Sequence, residues 1–312
     1  MRHITALLLL TLILIGCNNK PEVIRIIDTP SNLPTEPGLA EGSSTGKTTF
    51  IPTGTPSNTP EPISTSTIEV FILDTKISEI DQMKMVYIPG GVFNMGGEDG
   101  WDSEKPVHPV KIKAFWMDQT EVTNRQYGMC VGDEDCSLPG MLRSYGRENY
   151  YSNPEFGNYP VINVSWYDAV SYCTWAGRRL PTEAEWEMAA KGDEARTYPW
   201  GNTIDCTKAN YIDCPWGDTT MVGSFPSGAS PYGVLDMAGN VWEWVGDWYD
   251  PLYYDSYPLD YPSGPESGAY RVVRGGSWND YEFYLRTTNR YSYFPENKRF
   301  SVGFRCVLDA VE

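Results

Sequence analysis

The chain has 312 residues with 41 acidic and 24 basic side chains, which gives a formal net charge of −17 at pH 7. Binding to nucleic acid requires a basic face that contacts phosphates, so this charge argues against a nucleic-acid partner. Hydrophobic residues make up 41% of the chain, and 11 Trp and 21 Tyr are present, which is enough for a large aromatic-rich core.

The chain begins with Arg2, an apolar run from Ala6 to Ile15, and then Gly16 and Cys17. The run is too short to span a bilayer comfortably and is typical of a secretory signal peptide. Its end resembles a bacterial lipobox, in which cleavage exposes a cysteine for lipidation; a generic signal peptide is the alternative. The sequence therefore predicts a lipoprotein signal peptide over residues 1–16 and a lipid anchor on Cys17. The protein is expected in the cell envelope, anchored to a membrane and facing outside the cytoplasm.

Residues 17–80 are rich in Thr, Pro and Ser and poor in aromatic residues. Such a segment cannot bury enough apolar surface to offset the entropy of ordering its chain. The sequence therefore predicts a disordered linker after the lipidated cysteine, followed by a folded domain over residues 81–312.

Strand patterns come first in this domain, and helix patterns follow. Residues 85–97 indicate two strands around a Pro-Gly-Gly turn, and alternation over residues 110–122 is a further strand signal. Thr123 and Thr182 each head a capping box, and apolar residues after Ser165 have helical spacing, so three helices are expected. 

Beyond residue 193 the periodicity is weak. Short strand patterns occur at residues 270–276 and 303–308, within a long run of Gly, Pro, Asn and Trp. The predicted fold class is therefore α+β, with few helices and much irregular chain.

Besides Cys17, the chain has an even number of cysteines, which in an exported protein indicates disulfides. Many connectivities are formally possible, so the pairing stays open at this point. The sequence suggests two local pairs that close short polar loops, and it leaves two cysteines over: Cys130 with Cys136, Cys206 with Cys214, and the remaining Cys173 and Cys306.

His108 is the one histidine outside the predicted signal peptide. Metal sites built on imidazoles need at least two histidines, so zinc and non-haem iron sites of that kind are excluded. A hydrolase with a Ser-His-Asp triad is also disfavoured, because no G-x-S-x-G nucleophile elbow is present.

The stretch YGVLDMAGNVWEWVGDWYD, residues 232–250, is the densest in polar and aromatic side chains. Four of its residues could present oxygen atoms to a hard cation such as calcium. A buried turn with hydrogen-bonded carboxylates is the alternative. The four residues are Asp236, Gly239, Val241 and Glu243.

The order of several motifs along residues 83–308 resembles the formylglycine-generating enzyme family, also called sulfatase-modifying factors. The motifs are MVYIPGGVFNMG, PVINVSWYDAVSYCTWAGRRLPTEAEWEMAAKG, YPWGN, GVLDMAGNVWEW, RVVRGGSW and GFRC. The resemblance implies the formylglycine-generating-enzyme fold, a variant of the C-type-lectin-like fold, and a long-range disulfide between Cys173 and Cys306.

The resemblance also implies calcium as a structural cofactor. One calcium site would use the four residues of the 232–250 stretch. A second site is implied at Asn210 and Tyr211, with Asp213 or Asp218 as its carboxylate.

Copper is not expected. In the oxidase members of the family, two cysteines after the Gly-Gly-Ser motif bind copper and engage the substrate cysteine. Asp280 stands at the first of these positions, and no cysteine lies between Cys214 and Cys306. A carboxylate cannot replace a thiolate as a Cu(I) ligand. No catalytic residue is therefore predicted, and Trp242, Ser277 and Asp280 remain as pocket candidates.

Four arginines of the same region allow two interpretations. They could bind the carboxylate or phosphate of a ligand, or they could form structural ion pairs, which are commoner in so acidic a chain. They are Arg274, Arg286, Arg290 and Arg305.

Together these observations favour a surface-anchored lipoprotein whose domain is a non-catalytic ligand- or protein-binding module. Its partners would be membrane lipid, through the lipidated N-terminus, and a protein or small-molecule ligand. The alternatives are a divergent oxidoreductase that modifies a peptide or small molecule by a different mechanism, and a purely structural part of the envelope.

Overall fold

The computed structural model describes residues 74–256, 258–260 and 262–310. The predicted signal peptide, Cys17 and nearly all of the predicted linker lie outside the described residues. Within them, no helix has both the length and the apolar character needed to cross a bilayer. The first strand starts at Thr75, ahead of residue 81, where the sequence predicts the domain to begin. This strand is short and carries no alternating apolar pattern that would mark it.

Ten short strands and three α-helices make up the regular structure of the described residues. In chain order the strands are β1 (Thr75–Ile77), β2 (Lys84–Ile88), β3 (Gly91–Met95), β4 (His108–Ile112), β5 (Phe115–Asp118), β6 (Trp242–Trp248), β7 (Arg271–Arg274), β8 (Tyr291–Tyr293), β9 (Val302–Phe304) and β10 (Val307–Asp309). The helices are α1 (Asn124–Gly132), α2 (Trp166–Trp175) and α3 (Glu183–Lys191). The predicted α+β class with few helices is confirmed.

The described strands form three sheets. A four-stranded antiparallel sheet has the order β1-β2-β5-β10, and β3 pairs with β4. The other four-stranded sheet has the order β8-β7-β6-β9, in which β6 and β9 are parallel. Only Arg305 and Cys306 separate β9 from β10, so one short segment completes both four-stranded sheets.

Both strands predicted within residues 85–97 are present, as β2 and β3, but they lie in different sheets. The strand signal over residues 110–122 resolves into two strands, β4 and β5, because the chain turns at Lys113 and Ala114. A Cβ atom at Gly90 would lie 2.6 Å from the Ala114 nitrogen. The two turns therefore pack backbone against backbone, which requires glycine on one side.

Each of the three helices begins where the sequence predicts. In every case the side chain of the residue before the helix accepts a hydrogen bond from a backbone N–H of the first turn, which satisfies a donor that the helix leaves unpaired. The pairs are Thr123 with Gln126, Ser165 with Asp168, and Thr182 with Glu185.

Helix α3 is buried along its whole length, including its charged residues. Trp186 donates a hydrogen bond from Nε1 to Glu243 on β6 at 2.8 Å. Glu183 and Glu187 form ion pairs with arginines of other segments. Buried carboxylates destabilise a fold unless they are paired. The buried glutamates of α3 therefore require the arginines that lie around this helix.

The three disulfides of the described chain are Cys130–Cys136, Cys206–Cys214 and Cys173–Cys306. Both local pairs suggested by the sequence are confirmed. The third is the long-range bridge implied by the family resemblance, with a Cα–Cα distance of 5.7 Å. It joins helix α2 to the segment between β9 and β10.

Asp247 on β6 should make stability depend on pH. Burial, and then the charge of Glu183, raises the pKa of Asp247 from 3.8 to about 8. Between these values the folded chain holds a proton that the unfolded chain has lost, so the free energy of unfolding falls as pH rises. Asp247 Oδ2 accepts a hydrogen bond from the Glu183 N–H at 2.8 Å. The side-chain oxygen of an Asn at this position can accept the same hydrogen bond.

We therefore expect Asp247→Asn to raise the melting temperature by several degrees at pH 9 and to leave it nearly unchanged at pH 4. Thermal unfolding followed by circular dichroism across this range measures the effect. A shift of equal size at both pH values would contradict the assignment, because it would reflect packing and not charge.

Candidate functional site

The Gly275-Gly276 pair forms the turn that leads from β7 into the site. Their φ angles are +96° and +72°, in the left-handed region that favours glycine. A Cβ atom at Gly276 would lie 2.7 Å from Leu285 Cδ1, so a side chain there would also clash. This turn places Ser277 and Asp280 beside the N-terminal end of β6.

Of the three predicted pocket candidates, Trp242 and Ser277 both contact one carboxylate oxygen of the third, Asp280. Trp242 Nε1 donates a hydrogen bond to Asp280 Oδ2 at 2.9 Å. Ser277 Oγ is also within hydrogen-bond distance of Asp280 Oδ2, and of Asn279 Oδ1 at 2.7 Å. The single hydroxyl proton can go to only one of these acceptors. Trp242 and Ser277 are buried, whereas Asp280 is half-buried and borders the surface.

Burial raises the pKa of Asp280, while the hydrogen bonds from Ser277 and Trp242 counteract the rise. None of the basic side chains in the described chain forms an ion pair with this carboxylate. Asp280 is therefore a partly desolvated acid that is held by neutral donors only.

A loop closed by a disulfide lies beside Asp280. The Ile212 N–H, between Cys206 and Cys214, donates to the Asp280 carbonyl at 3.1 Å. The bridge keeps this loop against the site, and the Ile212 side chain remains 40% exposed. The loop thus forms one wall of the candidate site.

The four arginines serve the fold and do not face an open ligand site. Arg290 and Arg305 each pair with both oxygens of one buried glutamate, and Arg274 is completely buried. Arg286 pairs with both oxygens of Glu104 at 2.6 and 2.9 Å. The structural interpretation from the sequence is confirmed for all four: the partners are Glu187 for Arg274, Glu104 for Arg286, Glu183 for Arg290 and Glu243 for Arg305.

The first predicted calcium set is held in a buried turn before β6. Asp236 has a φ of +59°, and its Oδ2 accepts from the Gly223 N–H at 2.6 Å. A Cβ atom at Gly239 would lie 2.3 Å from the Asn210 carbonyl oxygen, so this glycine lets the two predicted calcium segments touch. The Glu243 carboxylate is occupied by Arg305 and Trp186.

Glu121 belongs to this cluster and was missed in the sequence, where it stands between Thr120 and Val122 in a strand-like run. It is completely buried, its Oε1 accepts from Asn240 Nδ2 at 2.8 Å, and its Oε2 has no hydrogen-bond partner within the described chain. Burial, followed by the charge of Asp236, raises the pKa of Glu121 well above its usual value. Burial raises the pKa of Asp236 in turn, and a hydrogen bond from Glu121 lowers it, so the two buried side chains are adjacent and share a proton.

In the second predicted set, Asn210 lies beside Asp218. Asn210 Nδ2 donates to the Asp218 carbonyl at 2.9 Å, and Asn210 Oδ1 is buried with no hydrogen-bond partner in the described residues. Asp218 is 3% exposed, and Arg147 lies 3.2 Å from its Oδ2. Tyr211 is buried beside Asn210, and Asp213 is exposed. Of the two residues considered for this set, Asp218 is the one that contacts Asn210, through its backbone carbonyl, while its carboxylate binds Ser144, Gly146 and Arg147.

These oxygens fit a hard cation in part. Calcium prefers carboxylate, amide and carbonyl oxygens, and the open oxygens of Glu121 and Asn210 are of those kinds. No group of three or more His, Cys, Asp or Glu residues in the described chain is arranged to hold a metal ion. Bound calcium would therefore depend on amide and backbone oxygens as well as on carboxylates.

Comparison with curated proteins finds relatives that share this domain. The chain is 42% identical over 241 residues to the serine/threonine-protein kinase Pkn1 of Chlamydia trachomatis, covering 72% of this chain but 38% of that protein. It thus spans well under half the length of that relative. It is 35% identical over 284 residues to the formylglycine-generating enzyme of Thermomonospora curvata, covering 72% of this chain and 93% of that enzyme.

Among solved structures, the fold is similar to that of PvdO from Pseudomonas aeruginosa. The TM-score is 0.66 at 27% identity, with 76% of this chain and 98% of that one covered. Residues 74–310 match the Sulfatase-modifying factor enzyme 1-like domain. The chain therefore belongs to the formylglycine-generating enzyme family, as its motifs predicted, and has that family's variant C-type-lectin-like fold.

Proposed function

We propose that the protein is a lipid-anchored protein of the cell envelope whose family domain binds a ligand without thiol–copper oxidation. The observation that carries this proposal is the chemistry at Asp280. This carboxylate is held by Trp242 and Ser277, and the family resemblance implies that it takes the place of the first thiol of the oxidase members. It cannot take over the bonding of Cu(I), which prefers soft sulfur ligands.

The state of the other cysteines supports the same conclusion. All six cysteines of the described chain are consumed in disulfides, two of which close local loops. A disulfide sulfur is neither a thiolate nucleophile nor a thiolate ligand. The described residues therefore offer no free thiol to exchange with a substrate cysteine.

Metal analysis of the full chain tests this proposal. The protein would be produced in an oxidising compartment, purified without chelators, and incubated with a cysteine-containing peptide, Cu(I) and oxygen. We expect calcium near a whole-number stoichiometry, no retained copper, and no oxidation of the peptide beyond a protein-free control. Copper or iron at whole-number stoichiometry, or oxidation that depends on the protein, would overturn the proposal in favour of a divergent oxidoreductase.

Calcium is proposed to neutralise the buried carboxylates at the turn before β6. Chelation with EGTA should then lower the melting temperature of the wild-type protein. Asp236→Asn and Glu121→Gln should abolish this calcium dependence, since each removes a carboxylate that would bind the cation. In EGTA both variants should be at least as stable as the wild type.

Asp135→Asn is the matched control, because it removes the same charge from an exposed position outside both predicted calcium sets. It should leave the response to EGTA unchanged. A wild-type melting temperature that does not respond to EGTA, or an unaltered response in Asp236→Asn, would rule out calcium at this turn.

A further inference from the structure

Asp280 lies beside Trp242, whose ring packs in a group of aromatic side chains. The Trp242 ring, whose Nε1 binds this carboxylate, lies 5.6 Å from the ring of Tyr291 and 6.5 Å from that of Tyr284. Tyr291 in turn lies 5.2 Å from Tyr293. We name these residues, Trp242, Tyr284, Tyr291 and Tyr293 together with Asp280, the Asp280 aromatic cluster.

The cluster reaches the surface. Tyr291 is 44% exposed, and Tyr284, Tyr293 and Asp280 are half-buried. Burial raises the pKa of Tyr293 to about 12, and the charge of Asp280 adds to this rise, so carboxylate and phenol lie within electrostatic range. The exposed ring of Tyr291 and the half-buried carboxylate therefore both border solvent.

The rings of this cluster already attract a cation. The guanidinium of the exposed Arg299 lies 4.2 Å from the centre of the Tyr293 ring. Arg299 does not neutralise Asp280, with which it forms no ion pair. Because Arg299 covers the Tyr293 ring, a further positive charge would meet the exposed Tyr291 ring and the carboxylate of Asp280, which has no ion pair within the described residues.

Resting on the proposed binding function, we propose that the Asp280 aromatic cluster binds an organic ammonium group. Ring faces stabilise such a cation through their quadrupoles, and the carboxylate supplies the opposite charge in a partly desolvated setting. An anionic or neutral polar ligand would gain neither interaction. The group could be carried by a small molecule or by a lysine side chain of a peptide.

Titration calorimetry with the full chain tests the proposal. Choline is the probe, and 3,3-dimethylbutanol is its uncharged counterpart of nearly the same shape. We expect choline to bind at least roughly tenfold more tightly than the alcohol, since only the cation gains from the rings and the carboxylate. Asp280→Asn should weaken choline binding several-fold and leave binding of the alcohol unchanged, because Asn can still accept from Trp242.

Asp135→Asn is the matched control, because it removes one exposed charge from the other short disulfide-closed loop, Cys130–Cys136, outside the Asp280 aromatic cluster. It should leave choline binding intact. Equal affinities for choline and the alcohol, no choline binding, or equal losses in the two variants would overturn the inference. A lysine flanked by glycines serves as the peptide probe: tighter binding than choline assigns the ammonium group to a polypeptide, and weaker binding assigns it to a small molecule.

Failure of this inference is separable from failure of the proposed function. Oxidation of a cysteine peptide or retained copper would overturn the binding-module proposal, whatever the choline titration shows. Absence of ammonium binding in a protein without oxidase activity would remove only the assigned ligand class.

Discussion

Loss of the Cys173–Cys306 disulfide should lower the free energy of unfolding by about 5 kcal/mol on the chain-entropy account. The bridge spans a sequence separation of 133, so its removal greatly enlarges the unfolded ensemble. Both cysteines are completely buried within the core that contains Tyr172 and Phe304. The double variant Cys173→Ala/Cys306→Ala, studied by denaturant unfolding, measures the effect.

The Cys206–Cys214 bridge is the matched comparison. Its sequence separation is 8, so Cys206→Ala/Cys214→Ala should cost only about half as much, roughly 2.5 kcal/mol. The short bridge should instead affect the wall beside Asp280. Equal costs for the two double variants would show that loop length does not determine the contribution of either bridge.

Arg305→Met should cost about 3–5 kcal/mol, because it leaves the Glu243 carboxylate buried without its counter-charge. Arg305 is completely buried and donates to both Glu243 oxygens at 2.7 Å. It also donates to the carbonyl oxygens of Asp118 and Leu235, so it joins β5, β6 and the turn before β6. Adding Glu243→Gln should recover part of the loss, and denaturant unfolding of both variants measures the difference.

Arg179→Met is the control for this experiment. Arg179 pairs with Glu185 and Asp309, but 41% of its side chain is exposed. An exposed ion pair contributes about 0–1 kcal/mol, so this variant should remain close to the wild type. If both arginine variants lost the same amount, burial of the pair would not be the reason for the effect.

The helices and the disulfides were accessible to sequence reasoning because their signals are local or carried by a long motif. Each helix start has a signal within its own first turn: a capping residue at Thr123 and at Thr182, and the apolar spacing after Ser165. The bridge between Cys173 and Cys306 needed the family resemblance, since no local pattern relates residues so far apart.

The buried charges were less accessible. Glu121 occupies an outward-looking place in a strand-like run, and only the approach of Asp236 and Asn240 from a distant segment makes it an interior residue. Strand β6 was hidden for a similar reason: both of its faces are largely buried, so it shows no alternation of apolar and polar residues. Both the burial of Glu121 and the formation of β6 depend on contacts between segments that are distant in the sequence.

The meeting of β9 and β10 in one segment has a consequence for how the domain is made. Residues 302–309 pair with β6 in one sheet and with β5 in the other, and they carry the second cysteine of the long-range bridge. A ribosome delivers these residues after all the others that they join. Neither four-stranded sheet can be completed before this segment is synthesised, so β5 and β6 each expose an unpaired edge until then.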